Sequence, residues 1–474
     1  MKRFSLTGTL VVVFALMPFM AVAQIFESTQ LRRANGDTVT VDLGTIRVAE
    51  NRSDPDSRQI PIRFLRLESR AENPGAPIVY LAGGPGGSGI RAWAGERGKM
   101  FDQLRDGADV IILDQRGTGL SDEIPECESS VRIPADSALT RNLYIRLHRA
   151  AVQECRDFWK REGVDIRGYT TWESTADINA VRKALGANRV HLLGISYGSH
   201  LALATLKRYP KSVDRLVLAS AEGLNQTVKL PARTDSYLQR LQAAIDADSA
   251  SHSNSPDVRG LISGVLAEVE SNPPTLPVET ESGTANRTLG PFFMRLMTGY
   301  MFSDPSRAGS ILEAYREASN GDYRGWRRFL DDDTVSLDGM SLAMDLSSGI
   351  SPARLARIEA QADTALLGDA LNFPVPHLEG AIPGIELGKD FREPVRSDHP
   401  ALFLSGTLDG RTYPEAHAEI AEGFSNGAIV TIKNAGHNLF FSHPDVVDII
   451  ADFFDGAPAK RRTLAAPAPS FVPD

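Results

Sequence analysis

Short, solidly apolar segments recur along the chain and predict the strands of a sheet that is buried on both faces. These segments lie at 77–82, 109–113, 189–195, 213–219, 400–405 and 428–432. Patterns of apolar positions with helical spacing fall between many of them, at 174–185, 198–208, 413–422 and 443–454. Buried strands that alternate with helices are typical of a doubly wound, mostly parallel α/β sheet. Residues 38–48 and 60–68 alternate apolar and polar positions, which predicts half-buried antiparallel strands.

One long stretch interrupts this alternation of strands and helices. Between 222 and 396 the sequence shows amphipathic helical segments and Pro- and Gly-rich joints, but no strand–helix–strand unit. We interpret 222–396 as a mainly helical cap that is inserted into the sheet domain. The core would then comprise 24–221 and 397–458, and the basic, Pro/Ala-rich residues 459–474 are predicted to form a disordered tail.

The N-terminus has the features of a signal peptide. Lys2 and Arg3 precede an apolar run at 10–22, and an A-x-A cleavage pattern precedes Gln24. The alternative is an uncleaved membrane anchor, but a run of about 13 residues is shorter than the roughly 20 that a bilayer requires. We therefore expect 1–23 to be removed and the mature protein to be secreted or periplasmic, without a membrane span.

Composition excludes some partners and suggests a disulfide. A formal net charge of −9 argues against a nucleic-acid partner, and 474 residues accommodate one sheet domain and a sizeable insertion. The sequence lacks H-E-x-x-H and paired C-x-x-C motifs, so we predict no metal and no other cofactor. The two cysteines, Cys127 and Cys155, favour a disulfide in an exported protein, with two separate buried thiols as the alternative.

The pattern G-x-S-x-G, which can mark a nucleophilic serine, occurs twice. At 194–198 it follows an apolar strand and opens a helical segment, as a nucleophile elbow requires. At 423–427 the order is inverted, because the motif follows a helix and precedes a strand. We therefore predict that Ser196 is the nucleophile and that Ser425 matches by chance.

A serine hydroxyl needs a base within hydrogen-bond reach, and that base needs an orienting carboxylate. His437 lies in a Gly-containing loop directly after the strand predicted at 428–432, where a catalytic group is expected. Asp409 follows the preceding strand at 400–405, and its alternative role is that of an ordinary turn residue in Asp409-Gly410. The order Ser, Asp, His matches that of hydrolases with this elbow, so we predict Ser196, Asp409 and His437 as a triad.

Two further motifs fit the needs of acyl transfer. The glycine-rich loop 83–89 follows a strand and leaves backbone N–H groups accessible, so Gly84 and Tyr197 are predicted to donate to an oxyanion. A phosphate-binding loop is the rival interpretation, and it fails because no Gly-Lys-Ser/Thr follows. The polar segment 114–121 is expected to brace the neighbouring loops through hydrogen bonds and an Arg–Asp pair.

Together these motifs resemble the prolyl aminopeptidase family of α/β-hydrolases, and most of all its exported tripeptidyl-aminopeptidase-like branch. The resemblance rests on 83–87, 114–119 and 194–199, on 169–186, on the two cysteines, and on the Gly-Thr-x-Asp and Ala-Gly-His motifs near the C-terminus. It implies an α/β-hydrolase fold with a helical cap, and hydrolysis of peptide bonds near a free N-terminus. Ala82 stands where prolyl aminopeptidases usually have His, as is common in the tripeptidyl branch.

The sequence therefore predicts an exported serine aminopeptidase that acts on peptide or small acyl substrates. A carboxylesterase or another non-peptide acyl hydrolase is the alternative, and a non-catalytic binding protein on the same scaffold is the third. An aminopeptidase must bind an ammonium group, and Glu222, just after the strand at 213–219, is our candidate for its partner. A solvated or helix-capping role for Glu222 is the alternative.

Overall fold

The computed structural model describes residues 25–135, 137–247, 257–280, 283–330, 334–469 and 471. The predicted signal peptide 1–23 lies outside these residues. The strands are β1 Phe26–Arg32, β2 Thr38–Ala49, β3 Gln59–Leu67, β4 Ile78–Leu81, β5 Val110–Leu113, β6 Cys127–Arg132, β7 Val190–Ile195, β8 Val213–Ala219, β9 Thr275–Thr280, β10 Gly283–Thr288, β11 Thr334–Leu337, β12 Ala401–Gly406, β13 Gly427–Lys433 and β14 Arg462–Ala465.

The helices lie between these strands and in one long insertion. They are α1 Gly89–Ala94, α2 Gly98–Leu104, α3 Arg141–Arg161, α4 Thr171–Ala184, α5 Tyr197–Arg208, α6 Pro231–Ala247, α7 Val258–Ser271, α8 Pro291–Met301, α9 Pro305–Ser319, α10 Gly339–Ser348, α11 Pro352–Ala362, α12 Lys389–Arg392, α13 Pro414–Ala421 and α14 Asp445–Phe454.

One large, mostly parallel sheet organises the molecule, in the order β1-β2-β3-β5-β4-β7-β8-β12-β13-β14. Strands β1 to β3 are antiparallel, and β3 also pairs antiparallel with β5. From β5 to β14 every neighbouring pair is parallel. The predicted doubly wound α/β architecture is confirmed, and the alternating segments 38–48 and 60–68 form the antiparallel strands β2 and β3.

Helices cover both faces of the sheet, which explains why its central strands are apolar throughout. Every residue of β4, β5, β7 and β12 is buried. One core packs α3, α4 and α5 against one face, with residues such as Trp159 and Leu201. The other packs α1, α2 and α14 against the opposite face, with residues such as Trp93 and Phe453. Each such side chain contributes roughly 1.5–3 kcal/mol of transfer free energy on burial.

The chain leaves the sheet after β8 and returns at β12, although these two strands are direct neighbours. We call residues 220–400 the insertion. It contains α6 to α12, the β9–β10 hairpin and β11, and it has an apolar core of its own around residues such as Tyr237, Ile262 and Trp326. Its content is mainly helical, and the assignment of 222–396 as a separate cap stays a prediction.

A disulfide joins two elements of the segment between β5 and β7, and this segment contacts the insertion. Cys127 in β6 and Cys155 in α3 are bonded, with their Cα atoms 5.6 Å apart, and β6 pairs antiparallel with β11 of the insertion. The predicted disulfide is confirmed. The pairing of β6 with β11, and a hydrogen bond from the Ser129 hydroxyl to the carbonyl of Val335, join this segment to a strand about 200 positions later in the chain.

The expectation of a disordered tail from 459 is wrong for the part that the structure describes. Arg462–Ala465 form β14, which pairs in parallel with β13 at the edge of the sheet, and Phe471 is buried against the core of the insertion. A ladder of backbone hydrogen bonds does not depend on side-chain hydrophobicity, so a basic segment can form an edge strand. None of the described helices is both long and apolar enough to cross a bilayer.

Candidate active site

Ser196 lies at the carboxyl end of the sheet, in the sharp turn between β7 and α5. Its φ is +55°, a conformation that side-chain-bearing residues rarely adopt, and this turn directs the residue away from the strand. Gly194 and Gly198 permit the turn, because a Cβ at Gly198 would clash with the carbonyl of Leu81, and one at Gly194 with the carbonyl of Gly198. The predicted strand–turn–helix geometry is confirmed.

The second G-x-S-x-G motif lies at the opposite edge of the sheet. Ser425 lies between the end of α13 and the start of β13, and its backbone N–H donates to the carbonyl of Ser397. Since β13 and β7 run in parallel within one sheet, the amino end of β13 and the carboxyl end of β7 are on opposite sides. The structure therefore separates Ser425 from Ser196.

Asp409 and His437 meet at the same edge of the sheet as Ser196, in the loops after β12 and β13. His437 Nδ1 lies 3.1 Å from Oδ1 and 3.0 Å from Oδ2 of Asp409. Asp409 is fully buried and accepts further hydrogen bonds from the backbone N–H groups of Arg411 and Thr412 and from the Thr412 hydroxyl. The carboxylate thus orients the ring and leaves Nε2 for another partner.

These donors keep the Asp409 carboxylate ionised in spite of its burial. Burial alone raises the pKa of a carboxyl group, but the electrostatic interaction and hydrogen bond with His437, with smaller contributions from His417 and the Thr412 N–H, hold the pKa of Asp409 well below its usual range. An ionised acid beside Nδ1 stabilises the imidazolium that forms when the ring accepts a proton.

The backbone around His437 is fixed by residues from two other elements. The Ser220 hydroxyl, just after β8, donates to the His437 carbonyl over 2.8 Å. Asp304, which precedes α9 in the insertion, accepts from the backbone N–H groups of His437 at 2.7 Å and Asn438 at 3.3 Å. The position of His437 therefore depends on the sheet, through Asp409 and Ser220, and on the insertion, through Asp304.

Ser196 and His437 line one cavity of about 400 Å³, together with the glycine loop after β4. Gly83 lies so close that a Cβ there would come within 2.9 Å of Ser196 Cβ. Within the described residues Ser196 Oγ makes no hydrogen bond. A hydrogen bond from Ser196 Oγ to Nε2 of His437 would therefore have to form when substrate binds. Catalytic hydrogen bonds are often long before substrate binds.

The two backbone N–H groups that the sequence predicted as oxyanion donors belong to the residue after Ser196 and to the glycine loop. Tyr197 is the first residue of α5, and the first N–H groups of a helix have no acceptor within it. Gly84 also lines the cavity, and its φ of +129° lies in the region that favours glycine. Ser341 of α10 donates to the carbonyl of Pro85 over 2.7 Å, so the insertion supports the loop that carries Gly84.

The polar segment 114–121 braces these loops as the sequence predicted. Asp114 accepts from the Ser88 hydroxyl at 2.6 Å and from the Ile90 N–H at 3.0 Å, which fixes the glycine loop. Gln115 donates to the carbonyl of Ala82 over 3.0 Å. The predicted Arg–Asp pair is formed by Arg116 and Asp177, which are both buried and joined by two hydrogen bonds of 2.7 and 2.8 Å.

Comparison with known protein families agrees with this geometry. Residues 76–261 match a family model described as alpha/beta hydrolase fold, and residues 385–463 match one described as TAP-like protein. The chain has the α/β-hydrolase fold. The two matches together include the residues Ser196, Asp409 and His437. Most of the insertion lies between the two matched regions.

Several curated proteins are similar to parts of the chain. A tripeptidyl aminopeptidase from Streptomyces lividans is 29% identical over 192 residues, which are 38% of this chain and 35% of that protein. Serine protease Hip1 from Mycobacterium tuberculosis is 27% identical over 185 residues, or 38% and 35% of the two chains. A proline iminopeptidase from Xylella fastidiosa is 31% identical over 147 residues, or 30% and 32%. The matched regions thus span about a third of each relative, and they confirm the resemblance that the motifs indicated.

A solved structure, that of a proline iminopeptidase-related protein from Thermus thermophilus, covers 87% of this chain and 97% of its own. Its sequence identity to this chain is 18%, and the TM-score is 0.39.

Glu222, the predicted partner of a substrate ammonium, lies beside Lys229. The Lys229 ammonium forms an ion pair with the Glu222 carboxylate, and both side chains are nine-tenths buried. Burial opposes ionisation, but Lys229 and the other nearby cations hold the pKa of Glu222 below its ordinary value. Glu222 lines a small recess with Lys229, separate from the cavity of Ser196.

The sequence analysis missed several residues near the candidate site. Arg97, Arg307 and Arg411 line the cavity of Ser196, and Asp304 holds the His437 loop. Only Arg411 carried a local signal, since it lies two residues after Asp409. Arg97 directly precedes α2, and Arg307 lies in the first turn of α9. No pattern in the sequence connects either residue with a catalytic serine.

Proposed function

We propose that the protein is an exported serine hydrolase, and specifically an aminopeptidase that cleaves peptide bonds near free N-termini. The observation that carries the proposal is the Asp409–His437 pair at the same sheet edge as Ser196, in a cavity that the glycine loop completes. Within the described residues no cluster of potential metal ligands occurs, and the proposed chemistry needs none.

In the proposed mechanism Ser196 Oγ attacks the substrate carbonyl carbon, and its proton passes to His437 Nε2. Asp409 holds the opposite edge of the ring and stabilises the imidazolium. The N–H groups of Gly84 and Tyr197 donate to the oxyanion of the tetrahedral intermediate. His437 then gives its proton to the leaving amine, which departs and leaves an acyl-Ser196 ester. A water molecule, activated by the same ring, hydrolyses this ester and restores the serine.

The names of the relatives favour a peptidase over an esterase. Among them are a tripeptidyl aminopeptidase, a serine protease and a proline iminopeptidase, each similar over about a third of its length. The second candidate is a carboxylesterase or another non-peptide acyl hydrolase. One observation favours it: the carboxylate that we predicted to hold a substrate amine, Glu222, is already neutralised by Lys229.

Two carboxylates are candidates for holding a substrate ammonium group. At Glu222 the ammonium would have to displace Lys229. Asp345 in α10 is the other candidate, because within the described residues its side chain has no hydrogen-bond or ion-pair partner. Its negative charge acts on Tyr300 and Tyr197, and Tyr300 lines the cavity of Ser196. Asp345 itself lines a neighbouring cavity together with Val228 and Glu386, so a substrate amine would have to extend from the cavity of Ser196 to reach it.

The test compares matched peptides whose N-termini are free or acetylated. An aminopeptidase should lose kcat/KM by about 100-fold or more on acetylation, because a buried carboxylate loses its charged partner. Glu222→Gln and Asp345→Asn identify which carboxylate is responsible: the correct variant loses activity on free-amine peptides while hydrolysis of p-nitrophenyl acetate changes much less. Equal cleavage of free and acetylated peptides would refute the aminopeptidase proposal, and rapid hydrolysis of esters alone would support the carboxylesterase.

Export rests on the sequence of the N-terminus and on the disulfide, which forms and persists in oxidising compartments. We propose that the mature protein begins at Gln24 and is periplasmic or secreted. Mass spectrometry of the protein from cell fractions tests this. A protein that keeps residues 1–23 and stays in the cytosol would contradict it.

A further inference from the structure

The cavity of Ser196 is markedly cationic for a protein of net charge −9. Its described lining includes three arginines, Arg97, Arg307 and Arg411, and no aspartate or glutamate. The remaining lining residues are glycine, alanine and neutral polar or apolar side chains, apart from His437. A group of arginines beside a nucleophile provides planar donors for a carboxylate or a phosphate.

The three guanidinium groups differ in how far they are already engaged. Arg97 donates to the Tyr80 hydroxyl and, over 3.1 Å, to Asn438 Oδ1. Arg411 lies over the ring of Tyr300, and its Nη1 is buried without a hydrogen-bond partner. Arg307 is exposed, and within the described part of the chain its side chain forms no ion pair or hydrogen bond. Arg411 and Arg307 therefore retain donors for a ligand.

Among the described residues, no carboxylate forms an ion pair with any of these three arginines. Asp409 is enclosed by its own donors and by His437. Asp304 accepts from two backbone N–H groups, and Glu222 is paired with Lys229. Asp345 lies within electrostatic range of Arg411, but burial and the charge of Glu222 raise its pKa to about 7, so it is only partly ionised at neutral pH.

We infer that the catalytic cavity binds a carboxylate of the substrate through Arg307 and Arg411, so that the preferred substrates are short peptides with a negative charge in the leaving half. The arginines line the same cavity as Ser196, and Arg411 also interacts electrostatically with Glu222 and Asp345. A short peptide places its carboxylate only a few residues from the bond that Ser196 would attack. The inference rests on the proposed role of Ser196, and it extends the proposed function by stating which charge the preferred substrate carries.

The carboxylate could be a peptide C-terminus or an acidic side chain, and matched substrates separate the two. The probe is a pooled library of tetrapeptides with free N-termini in four sets: C-terminal acids, C-terminal amides, amides ending in Glu, and amides ending in Gln. Consumption of each member, followed by mass spectrometry, gives relative kcat/KM. Esters provide a second arm, with 4-acetoxybenzoate compared with neutral 4-acetoxybenzamide after correction for their rates of spontaneous hydrolysis.

We expect the acids to be cleaved on the order of 10-fold faster than the amides, as one charge-assisted hydrogen bond at a partly exposed site can provide. A preference for the acids alone identifies the C-terminus, whereas a matching preference for Glu over Gln identifies a side chain. Arg307→Gln should bring the ratio close to one. Arg316→Gln is the control, because Arg316 lies on the same helix, α9, and among the described residues its side chain pairs with Glu313 alone. High ionic strength should also lower the ratio.

The outcomes distinguish this inference from the proposed function. If no peptide is cleaved but 4-acetoxybenzoate is preferred, the carboxylate site stands and the aminopeptidase proposal fails. If peptides are cleaved with equal rates for acids and amides, and the two esters also react equally, the inference is wrong while the aminopeptidase proposal stands. A preference for negatively charged substrates that persists unchanged in both Arg307→Gln and Arg411→Gln would also overturn the inference of a carboxylate site.

Discussion

Replacement of Asp345 by Asn should make the protein more stable at alkaline pH and should flatten its pH dependence. Asp345 lies in α10 and has no hydrogen-bond or ion-pair partner among the described residues. Burial, and then the negative charge of Glu222, raise its pKa to about 7, although Lys229 and Arg411 act in the opposite direction and Asp338 adds a smaller repulsion. The folded state therefore holds a proton that the unfolded chain has already released.

The sign and size of the effect follow from this difference in pKa. Between about pH 4 and 7 the folded state binds more protons than the unfolded state, so the free energy of unfolding falls as pH rises. A shift of roughly three pKa units corresponds to about 4 kcal/mol in full. Between pH 5 and 8 the loss that is due to Asp345 should be of the order of 2–3 kcal/mol. Asn keeps the shape of the side chain but cannot ionise.

The assay is denaturant unfolding of the wild type and of Asp345→Asn at several pH values from 5 to 8, with the disulfide intact. The variant should lose less stability than the wild type over this range, and it should be the more stable of the two at pH 8. Glu359→Gln is the control, since Glu359 is exposed on α11 of the same insertion. If the variant and the wild type decline in parallel, or if the variant is the less stable at pH 8, our account of Asp345 is wrong.

Three other predictions concern contacts that hold the site and the insertion. Protein denatured without reductant should show no free thiol, and replacing both Cys127 and Cys155 by Ser should lower the free energy of unfolding by about 2–4 kcal/mol; two titratable thiols would contradict this. Asp304→Ala should lower kcat by about 10-fold with little change in KM, and Asp304→Asn should restore most of the rate, because an amide oxygen can still accept from the loop; an equal effect of both variants on KM alone would oppose a positioning role. Glu222→Gln and Lys229→Met should each destabilise the protein by about 3–5 kcal/mol, and the double variant by clearly less than their sum, whereas additive losses would show that the pair is not coupled.

The sheet and the nucleophile elbow could be predicted because their signals are local. A strand buried on both faces needs an unbroken apolar run, and a tight turn needs glycine on either side of Ser196, so both requirements are visible in neighbouring residues. The order of Asp409 and His437 after successive strands follows from the fold in the same way. The structure brings these two residues into contact, as the sequence analysis expected.

Contacts between distant segments could not be predicted from such patterns. Asp304 holds the loop of His437 although it lies 133 positions before it, within the insertion. Glu222 is a second case, because no pattern in the sequence indicated its ion pair with Lys229. In the described part of the tail, β14 forms by backbone hydrogen bonds to β13. The basic side chains of this segment show no alternating pattern from which a strand could be predicted.

The central claim is that Ser196 is the nucleophile of an Asp409–His437 pair, and active-site labelling tests it most directly. A fluorophosphonate should modify the wild-type protein with one equivalent per chain, and peptide mapping should locate the label on Ser196. Ser196→Ala should abolish labelling, and it should lower kcat by on the order of 10⁴–10⁶. Stoichiometric labelling that persists in Ser196→Ala, and that maps to Ser425, would contradict the account.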